Sequence, residues 1–448
     1  MKVAGIIAEY NPFHNGHKYH LDKAREMTGA DYCIVVMSGN YTQRGEPALM
    51  DKYLRTRSAL ENGADLVLEL PVCHACASAP GFADGAVSLL QSLGVVDCLV
   101  FGSESGSTSL LQEAAAVLAS EPPLYHQTLK CLLRSGLSYP SAQSDALLYY
   151  LQSADSDSIS LDKLHPQELS ALLSSANNLL GIAYCRSLLS FQSSILPVAI
   201  LREGSSYSDS ALPEEEPEAA PALKNQKGHA TNGRKMKRAT GSALAIRATL
   251  KTAGTPDCIR PYVPDNVYTL MQKEYHKRFP VFPDMLSQML HYKLLSHAAD
   301  GSGFSDYLDV SPDLSDRILR HLPEYRSFSS FCLLLKTKEL TYTRISRCLL
   351  HIFLDIKKSA LETSRHSSAS YARILGFQSQ SAPLLTAIKA NTSIPLVSKL
   401  ADAGKVLSED ALHILKKDVQ AAHLYNALIL HAYETRLPDE TRRQIIRI

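Results

Sequence analysis

A polar stretch near the start of the chain, EYNPFHNGHKYH at residues 9–20, carries residue types suited to phosphate chemistry. His14 and His17 are three residues apart, so they share one face of a helix that begins there. Imidazoles donate hydrogen bonds and can carry positive charge as negative charge builds on a phosphoryl group in a transition state. Gly16 leaves room for a phosphate to approach. We predict that His14 and His17 are catalytic; the alternative is that they only cap or decorate a helix start.

The elements around this stretch would place it at the edge of a sheet. KVAGIIAEY, directly before it, is short and rich in branched apolar side chains, as buried strands are. Strand patterns recur in DYCIVVMSGN, DLVLELP and VDCLVFGSESG, with helical patterns between them. This alternation predicts an α/β fold with a Rossmann-like, doubly wound parallel sheet. In such sheets ligands bind at the carboxyl ends of the strands, and phosphate binds where a helix begins.

The chain divides into three stretches that differ in composition and in hydrophobic pattern. Residues 1–210 hold the alternating strands and helices, including a further strand in SILPVAILREG, and would form the nucleotide-binding domain. Residues 211–240 open acidic and proline-rich and end basic, which predicts a mobile insertion. Residues 241–448 begin with GSALAIR, where an ordered pattern resumes. Leucine-rich amphipathic segments follow it and predict a mainly helical carboxyl-terminal domain.

Composition limits the partners and the compartment. The 46 Lys and Arg residues nearly balance the 45 Asp and Glu residues, so contact with nucleic acid needs a local basic patch. The nine cysteines are irregularly spaced, which argues for a reducing, cytoplasmic location. We expect no signal peptide and no membrane anchor. CHAC at 73–76 lacks a second pair of ligands, so we predict a structural role for it and no metal site.

Several motifs occur in an order that resembles one family. Besides EYNPFHNGH they are MSGNYTQRGEPALMDKYLRTRSALENGADLVLELP, FGSES, NNLLGIAY, ARILGF and IPLVSKLA, the last two in the helical part. HNGH resembles the HxGH signature of the nucleotidylyltransferase superfamily. The whole set resembles the bacterial tRNA(Met) cytidine acetate ligase family over most of the chain. The resemblance implies that acetate attacks the α-phosphate of ATP to give acetyl-adenylate. The exocyclic amine of the wobble cytidine of elongator tRNA(Met) then takes the acetyl group, giving N-acetylcytidine.

The resemblance also implies a set of contacts. It places ATP on Ile7, Ala8, Glu9, Tyr10, Asn11, Pro12, Phe13, His14, Asn15, Gly16, His17, Lys18, Tyr19, His20, Gly102, Asn177 and Arg202. Mg²⁺ is expected to accompany ATP, and the helical domain is expected to bind tRNA. GSALAIR at 241–247 resembles the superfamily's helix start that completes the ATP site, where Ser242 can cap the helix and Arg247 can reach phosphate. No protein partner is indicated.

The segment QRGEPALMDKYLRTR concentrates Arg44, Lys52, Arg55 and Arg57. On an ordinary helix such charges form a solvated face. Beside a nucleotide loop, Gln43 and Arg44 become candidates for contact with substrate or RNA.

Two positions depart from the family pattern. Ser208 stands where the family has the histidine of a tyrosine-histidine-aspartate sequence, and Leu244 stands where a threonine is expected. Both changes would weaken contacts with the nucleotide or the tRNA. The basic run at 224–238 could hold tRNA phosphates or could serve only as a solvated loop.

Two other functions remain open from the sequence. The HNGH loop alone would equally allow a small-molecule adenylyltransferase acting on a phosphorylated cofactor precursor, although the large helical domain argues against it. The two departures would allow an RNA-binding protein with a vestigial site. Acetate-dependent turnover separates the ligase from both.

Overall fold

The computed structural model describes residues 1–153, 166–202, 212, 239, 241–359 and 369–448. The predicted insertion at 211–240 therefore lies outside the described residues, apart from Leu212 and Ala239, and so does Ser208.

The strands form one sheet. They are β1 (Val3–Ala8), β2 (Tyr32–Ser38), β3 (Leu66–Leu70), β4 (Cys98–Ser103), β5 (Leu196–Leu201), β6 (Ala372–Phe377), β7 (Leu396–Val397) and β8 (Ile446–Arg447). Their order is β5-β4-β1-β2-β3-β6-β7, and β8 also pairs with β6. Strands β1 to β5 are parallel, whereas β6 is antiparallel to β3. The chain moves outward from β1 to β3 and then returns to β4 on the other side of β1, so the topological switch point lies between β1 and β4.

Helices cover both faces of the sheet and continue beyond it. They are α1 (Asn15–Thr28), α2 (Lys52–Leu60), α3 (Val72–Ala75), α4 (Ala79–Ser92), α5 (Thr108–Ser120), α6 (Pro123–Arg134), α7 (Tyr139–Ser153), α8 (Pro166–Ser174), α9 (Ala176–Ser190), α10 (Ala243–Ala253), α11 (Asp265–Glu274), α12 (Ser287–Ala299), α13 (Pro312–His321), α14 (Phe328–Leu335), α15 (Tyr342–Leu354), α16 (Ala382–Asn391), α17 (Ala403–Val406) and α18 (Glu409–Tyr433). Short 3₁₀ turns lie at Pro256–Tyr262, Pro283–Leu286, Leu322–Glu324, Ser379–Ser381, Leu400–Asp402 and Glu440–Arg442. The predicted α/β class and the mainly helical carboxyl-terminal part are confirmed.

Three large apolar clusters organise the interior. One joins the sheet to α4, α5 and α9 on one face, and a second joins it to α1, α2 and α10 on the other. The third fills the space between α12, α13, α14, α15 and α18, and it includes Cys73 and Cys76 of the CHAC segment. Burial raises the pKa of the Cys73 thiol to about 12, so the thiol stays neutral. Within the described ranges no group of three or more metal-ligating side chains occurs. Cys73 and Cys76 pack inside the third apolar cluster.

The carboxyl-terminal part also completes the sheet. ARILGF, placed in the helical part from sequence, is strand β6 beside β3. The sheet therefore takes strands from both sides of the 211–240 segment. No helix among the described residues combines the length and the apolar character needed to cross a membrane.

A buried ionic cluster stabilises the contact between β3 and β6, where the amino-terminal and carboxyl-terminal parts of the sheet meet. Lys52 Nζ lies 2.7 Å from Glu69 Oε1 and 2.5 Å from Glu440 Oε1, and Arg373 contacts the same two carboxylates at 2.7 and 2.6 Å. No side chain of the four is more than 5% exposed. Two cations thus neutralise two anions, and they link α2, β3, β6 and the carboxyl-terminal turn.

Candidate active site

An open cleft lies at the carboxyl ends of β1, β4 and β5, beside the switch point. Its empty volume is about 1380 Å³ when the open solvent at its mouth is included. Most residues predicted to bind substrates line it, namely Ile7, Ala8, Glu9, Tyr10, Asn11, His14, Gly16, His17, Tyr19, His20, Gly102, Asn177, Arg202, Gln43, Arg44, Ser242 and Arg247. Residues that are more than 200 positions apart in the sequence therefore meet in one place.

Four residues of the predicted ATP set do not line the cleft. Pro12 and Phe13 are buried beneath the loop. Asn15 is buried too, and its amide donates to the carbonyl oxygens of Ala239 and Pro261 at 2.9 and 2.8 Å. Lys18 is outside the lining and pairs with Asp22 at 2.6 Å. Asn15 thus anchors the start of α1, and the ring of Phe13 packs behind Tyr10 and His17, which line the cleft.

The cleft also has an apolar wall that the sequence analysis missed. Phe82, Phe101, Leu180 and Tyr184 contribute to it, and the rings of Phe101 and Tyr184 have centroids 5.6 Å apart. Ile200, Leu201, Ala243 and Leu244 line the cleft as well. In a single sequence these residues look like ordinary core positions of a strand or a helix. No local signal distinguishes them from apolar residues that do not reach a binding site. From sequence, Leu244 stands out only as a departure from the family pattern.

Long-range hydrogen bonds fix the loop between β1 and α1. Tyr10 has a left-handed backbone, with φ of 50°. Asn11 accepts from the backbone N–H of Leu49 through Oδ1 at 2.7 Å, and Arg247 donates to the carbonyl oxygen of Asn11 at 2.8 Å. The loop is thus held from α10 on one side and from the segment before α2 on the other.

Arg55 ties together the carboxyl ends of two neighbouring strands. Its fully buried guanidinium donates to the carbonyl oxygens of Glu9 at 2.6 Å, Ser38 at 3.1 Å and Met50 at 2.9 Å, and to that of Gly39. The prediction that Arg55 and Lys52 lie on a solvated helix face is therefore wrong. Both side chains are buried by contacts that form only in the folded chain. Arg57 alone of the three is exposed.

The two catalytic candidates adopt a reciprocal capping arrangement at the start of α1. His14 Nδ1 accepts from the N–H of Gly16 at 3.1 Å, and the N–H of His14 donates to His17 Nδ1 at 3.2 Å. Because each Nδ1 is an acceptor, the proton of each neutral ring resides on Nε2. The rings stack with centroids 3.7 Å apart. A Cβ at position 16 would lie 2.9 Å from His14 Cε1, which explains the glycine.

The imidazoles of His14, His17 and His20 are neutral at physiological pH when the cleft holds no ligand. Burial, reinforced by the positive charges of Arg202 and Arg247, lowers the pKa of His14 to about 3. Burial also lowers the pKa of His17 well below its usual value and that of His20 to about 4. The histidines therefore act as hydrogen-bond donors, while arginines supply the permanent positive charge.

His20 allows a direct test of this electrostatic picture. The folded-state pKa of about 4 lies below the unfolded value near 6.5, so the unfolded chain binds a proton first and stability falls as pH drops through this window. Between pH 7.5 and 5.0 the wild-type protein should lose about 1–2 kcal/mol more stability than His20→Gln, because the variant has no imidazole to protonate on unfolding. Urea denaturation at both pH values measures it. Equal losses in the two proteins would show that His20 is protonated when folded.

The loop after β4 is held by two asparagines at the start of α9. Asn178 Oδ1 accepts from Ser103 Oγ at 2.7 Å and from the N–H groups of Glu104 and Ser105 at 3.0 and 3.3 Å. Glu104 in turn accepts from the Asn177 amide at 2.6 Å and from the N–H of Asn178 at 3.0 Å. Sequence reasoning selected Asn177 but overlooked Asn178, although the doubled asparagine was visible.

Removal of the Glu104 carboxylate should therefore weaken nucleotide binding. In Glu104→Ala the Asn177 amide loses the group that orients it, and we expect KM for ATP to rise roughly tenfold with kcat little changed. Steady-state kinetics at varied ATP measures this, and Gln112→Ala on the exposed face of α5 is the control. An unchanged KM would show that Asn177 needs no such orientation.

Comparisons with known proteins agree along the whole chain. The family described as HIGH Nucleotidyl Transferase matches residues 1–440. A tRNA(Met) cytidine acetate ligase of Clostridium perfringens is 37% identical over 428 residues, 96% of each chain. One of Halothermothrix orenii is 36% identical over 445 residues, 99% of this chain and 97% of the relative.

Solved structures give the same result. The apo crystal structure of Thermotoga maritima TmcAL superposes with a TM-score of 0.85 at 32% identity and covers 100% of both chains. The structure of the same protein bound with alpha-thio ATP also gives 0.85, at 31% identity and full coverage.

Proposed function

The chain belongs to the tRNA(Met) cytidine acetate ligase family, and we propose on this basis that it is an ATP-dependent ligase that acetylates the wobble cytidine of elongator tRNA(Met). The observation that carries the proposal is the cleft itself. It unites the HNGH loop, Asn177 and Arg202 at the switch point of a chain that matches such ligases from end to end. A cytoplasmic location fits a tRNA-modifying enzyme.

The first step makes a mixed anhydride. An acetate oxygen attacks the α-phosphorus of ATP, the bond from that phosphorus to the bridging oxygen breaks, and pyrophosphate leaves with the electron pair. His14 and His17 donate Nε2–H bonds to the α-phosphate, where negative charge builds in the transition state. Arg202 and Arg247 neutralise the leaving phosphates. The electropositive end of α1 points at the same place.

Magnesium would accompany the nucleotide. Because the described residues contain no cluster of metal-ligating side chains, phosphate oxygens would supply most of its ligands, and its charge would help pyrophosphate to leave. The residues present thus suit an ion carried in with ATP.

The second step transfers the acetyl group. The exocyclic nitrogen of cytidine attacks the carbonyl carbon of acetyl-adenylate, the carbon–oxygen bond to phosphate breaks, AMP leaves and the amine loses a proton. The apolar wall of Phe82, Phe101, Leu180 and Tyr184 suits a methyl group or a planar base. In this scheme the part within residues 1–210, with the start of α10, activates acetate, and the helical part of residues 241–448 holds the tRNA.

The product tests the proposal. Purified protein is incubated with ATP, labelled acetate and a tRNA(Met) transcript, and the nucleosides are then analysed by mass spectrometry. We expect N-acetylcytidine that depends on both ATP and acetate, and none with a transcript carrying uridine at the wobble position. Adenylyl transfer to a phosphorylated cofactor precursor without acetate, and no tRNA product, would instead establish the small-molecule adenylyltransferase.

A further inference from the structure

A compact loop between β2 and α2 connects the cleft to the helical part of the molecule. Within it, the N–H of Thr42 donates to Glu46 O and that of Gly45 to Thr42 O, both at 2.9 Å. Gly45 packs against the first turns of α15, where Ser346 Oγ donates to its carbonyl oxygen at 2.9 Å. A Cβ at Gly45, whose φ is +80°, would lie 2.3 Å from the backbone nitrogen of Arg347. The loop is therefore fixed against α15.

Basic side chains surround this loop on both sides. Arg44 belongs to the loop, and Arg247 lies on α10 with its guanidinium on the neighbouring Asn11 carbonyl at 2.8 Å. Lys251 is exposed one turn after Arg247. On the other side, α15 contributes Arg344 and Arg347, both partly exposed. These five residues, Arg44, Arg247, Lys251, Arg344 and Arg347, are here termed the basic rim.

Three acidic side chains among the described residues, Glu46, Glu9 and Asp309, lie near the basic rim and offset part of its charge. Burial raises the pKa of the Glu46 carboxyl, and Arg247, Arg44 and Lys251 act against that shift, which shows that their charges converge on this one acid. Glu9 also acts on Glu46 and accepts from the N–H of Gln43 at 2.7 Å. Arg347 Nε lies 3.7 Å from Asp309 Oδ2.

We propose that the basic rim is the docking surface for the RNA strand that carries the acceptor cytidine, an inference that rests on the proposed function. Arg44 and Arg247 line the cleft, whereas Lys251, Arg344 and Arg347 lie outside its lining. The rim thus leads from the site of acyl transfer to the helical part. A strand whose phosphates follow it brings a neighbouring base to the cleft mouth. With a net charge of only +1 on the whole chain, a local patch of this kind is what contact with a polyanion requires.

The outer residues of the rim make the proposal testable without disturbing the nucleotide site. Lys251→Glu and Arg344→Glu should each raise Kd and KM for tRNA(Met) roughly tenfold. The dependence of log Kd on log salt concentration should become shallower by about one unit per variant. Acetate-dependent ATP–pyrophosphate exchange without RNA should stay at the wild-type level in both.

A matched charge reversal elsewhere serves as the control. Lys389 is exposed on α16, next to the Asn391 backbone that packs against Gly94 before β4, at the end of the sheet opposite the cleft. Lys389→Glu should leave tRNA binding unchanged. Wild-type affinity and salt slope in both rim variants would overturn the proposal, as would equal losses in Lys389→Glu or a parallel loss of exchange. Direct tRNA binding reports on the rim even if the wild-type protein forms no N-acetylcytidine, a result that would overturn the proposed function alone.

Discussion

Replacement of His17 by alanine should lower acetate-dependent ATP–pyrophosphate exchange by about 10²–10³-fold, because a donor aimed at developing phosphoryl charge is worth that much in rate. The Nδ1 of His17 accepts from the His14 N–H, so its Nε2 proton is the one available to the phosphate. The loss should appear mainly in kcat, since charge on the α-phosphate grows in the transition state. Exchange of label from pyrophosphate into ATP measures it.

His14 requires a different substitution, because it also caps α1. His14→Asn retains a side-chain acceptor for the N–H groups of the first helical turn but has no donor at the position of Nε2. We expect a similar loss of exchange with the melting temperature close to that of the wild type. Lys18→Ala, in the same helix but outside the lining of the cleft, is the control for both variants. Full exchange activity in either histidine variant would remove that residue from the mechanism.

Replacement of Glu440 by alanine should destabilise the protein by about 3–5 kcal/mol, because Lys52 and Arg373 would then keep two buried positive charges against one carboxylate. The free energy of unfolding in guanidinium chloride measures the change. Asp402→Ala removes one partner of the exposed pair between Asp402 and Lys405, and it should cause no measurable change.

The same cluster gives a pH dependence. Burial opposes ionisation of Glu440, but Lys52 and Arg373 outweigh it and lower the pKa of Glu440 to about 2. Since the unfolded value lies near 4.3, the stabilisation is complete above that pH and is lost as pH falls toward 2. Glu440→Ala should therefore show a shallower loss of stability below pH 4 than the wild type. Equal slopes would show that the carboxylate is not held in its charged form.

The amino-terminal half of the sheet follows from local sequence, whereas its other edge does not. Apolar runs such as KVAGIIAEY and DLVLELP are bounded by turn residues, so β1 and β3 could be located directly. Strand β6 pairs with β3 across about 300 residues, and nothing in ARILGF itself states that partner. The chain also reaches β6 only after a long helical stretch, which hides its place in the sheet.

The candidate site shows the same division. The HNGH loop was recognisable because its residue types, spacing and position after a strand agree. Buried Arg55 was not, since an arginine in a helical pattern resembles a solvated residue until the carbonyl oxygens of Glu9, Ser38 and Met50 converge on it. Protonation also depends on the fold, because only the assembled cleft buries His14 and brings Arg202 and Arg247 near it, and together these effects lower its pKa and favour the neutral imidazole.

The measurement that bears most directly on the central claim is ATP–pyrophosphate exchange by the purified protein with and without acetate, in the absence of RNA. Exchange that appears only with acetate is the predicted result, because adenylate formation needs only the cleft, ATP and a carboxylate. Exchange that ignores acetate, or no exchange under either condition, would contradict the claim that this cleft activates acetate.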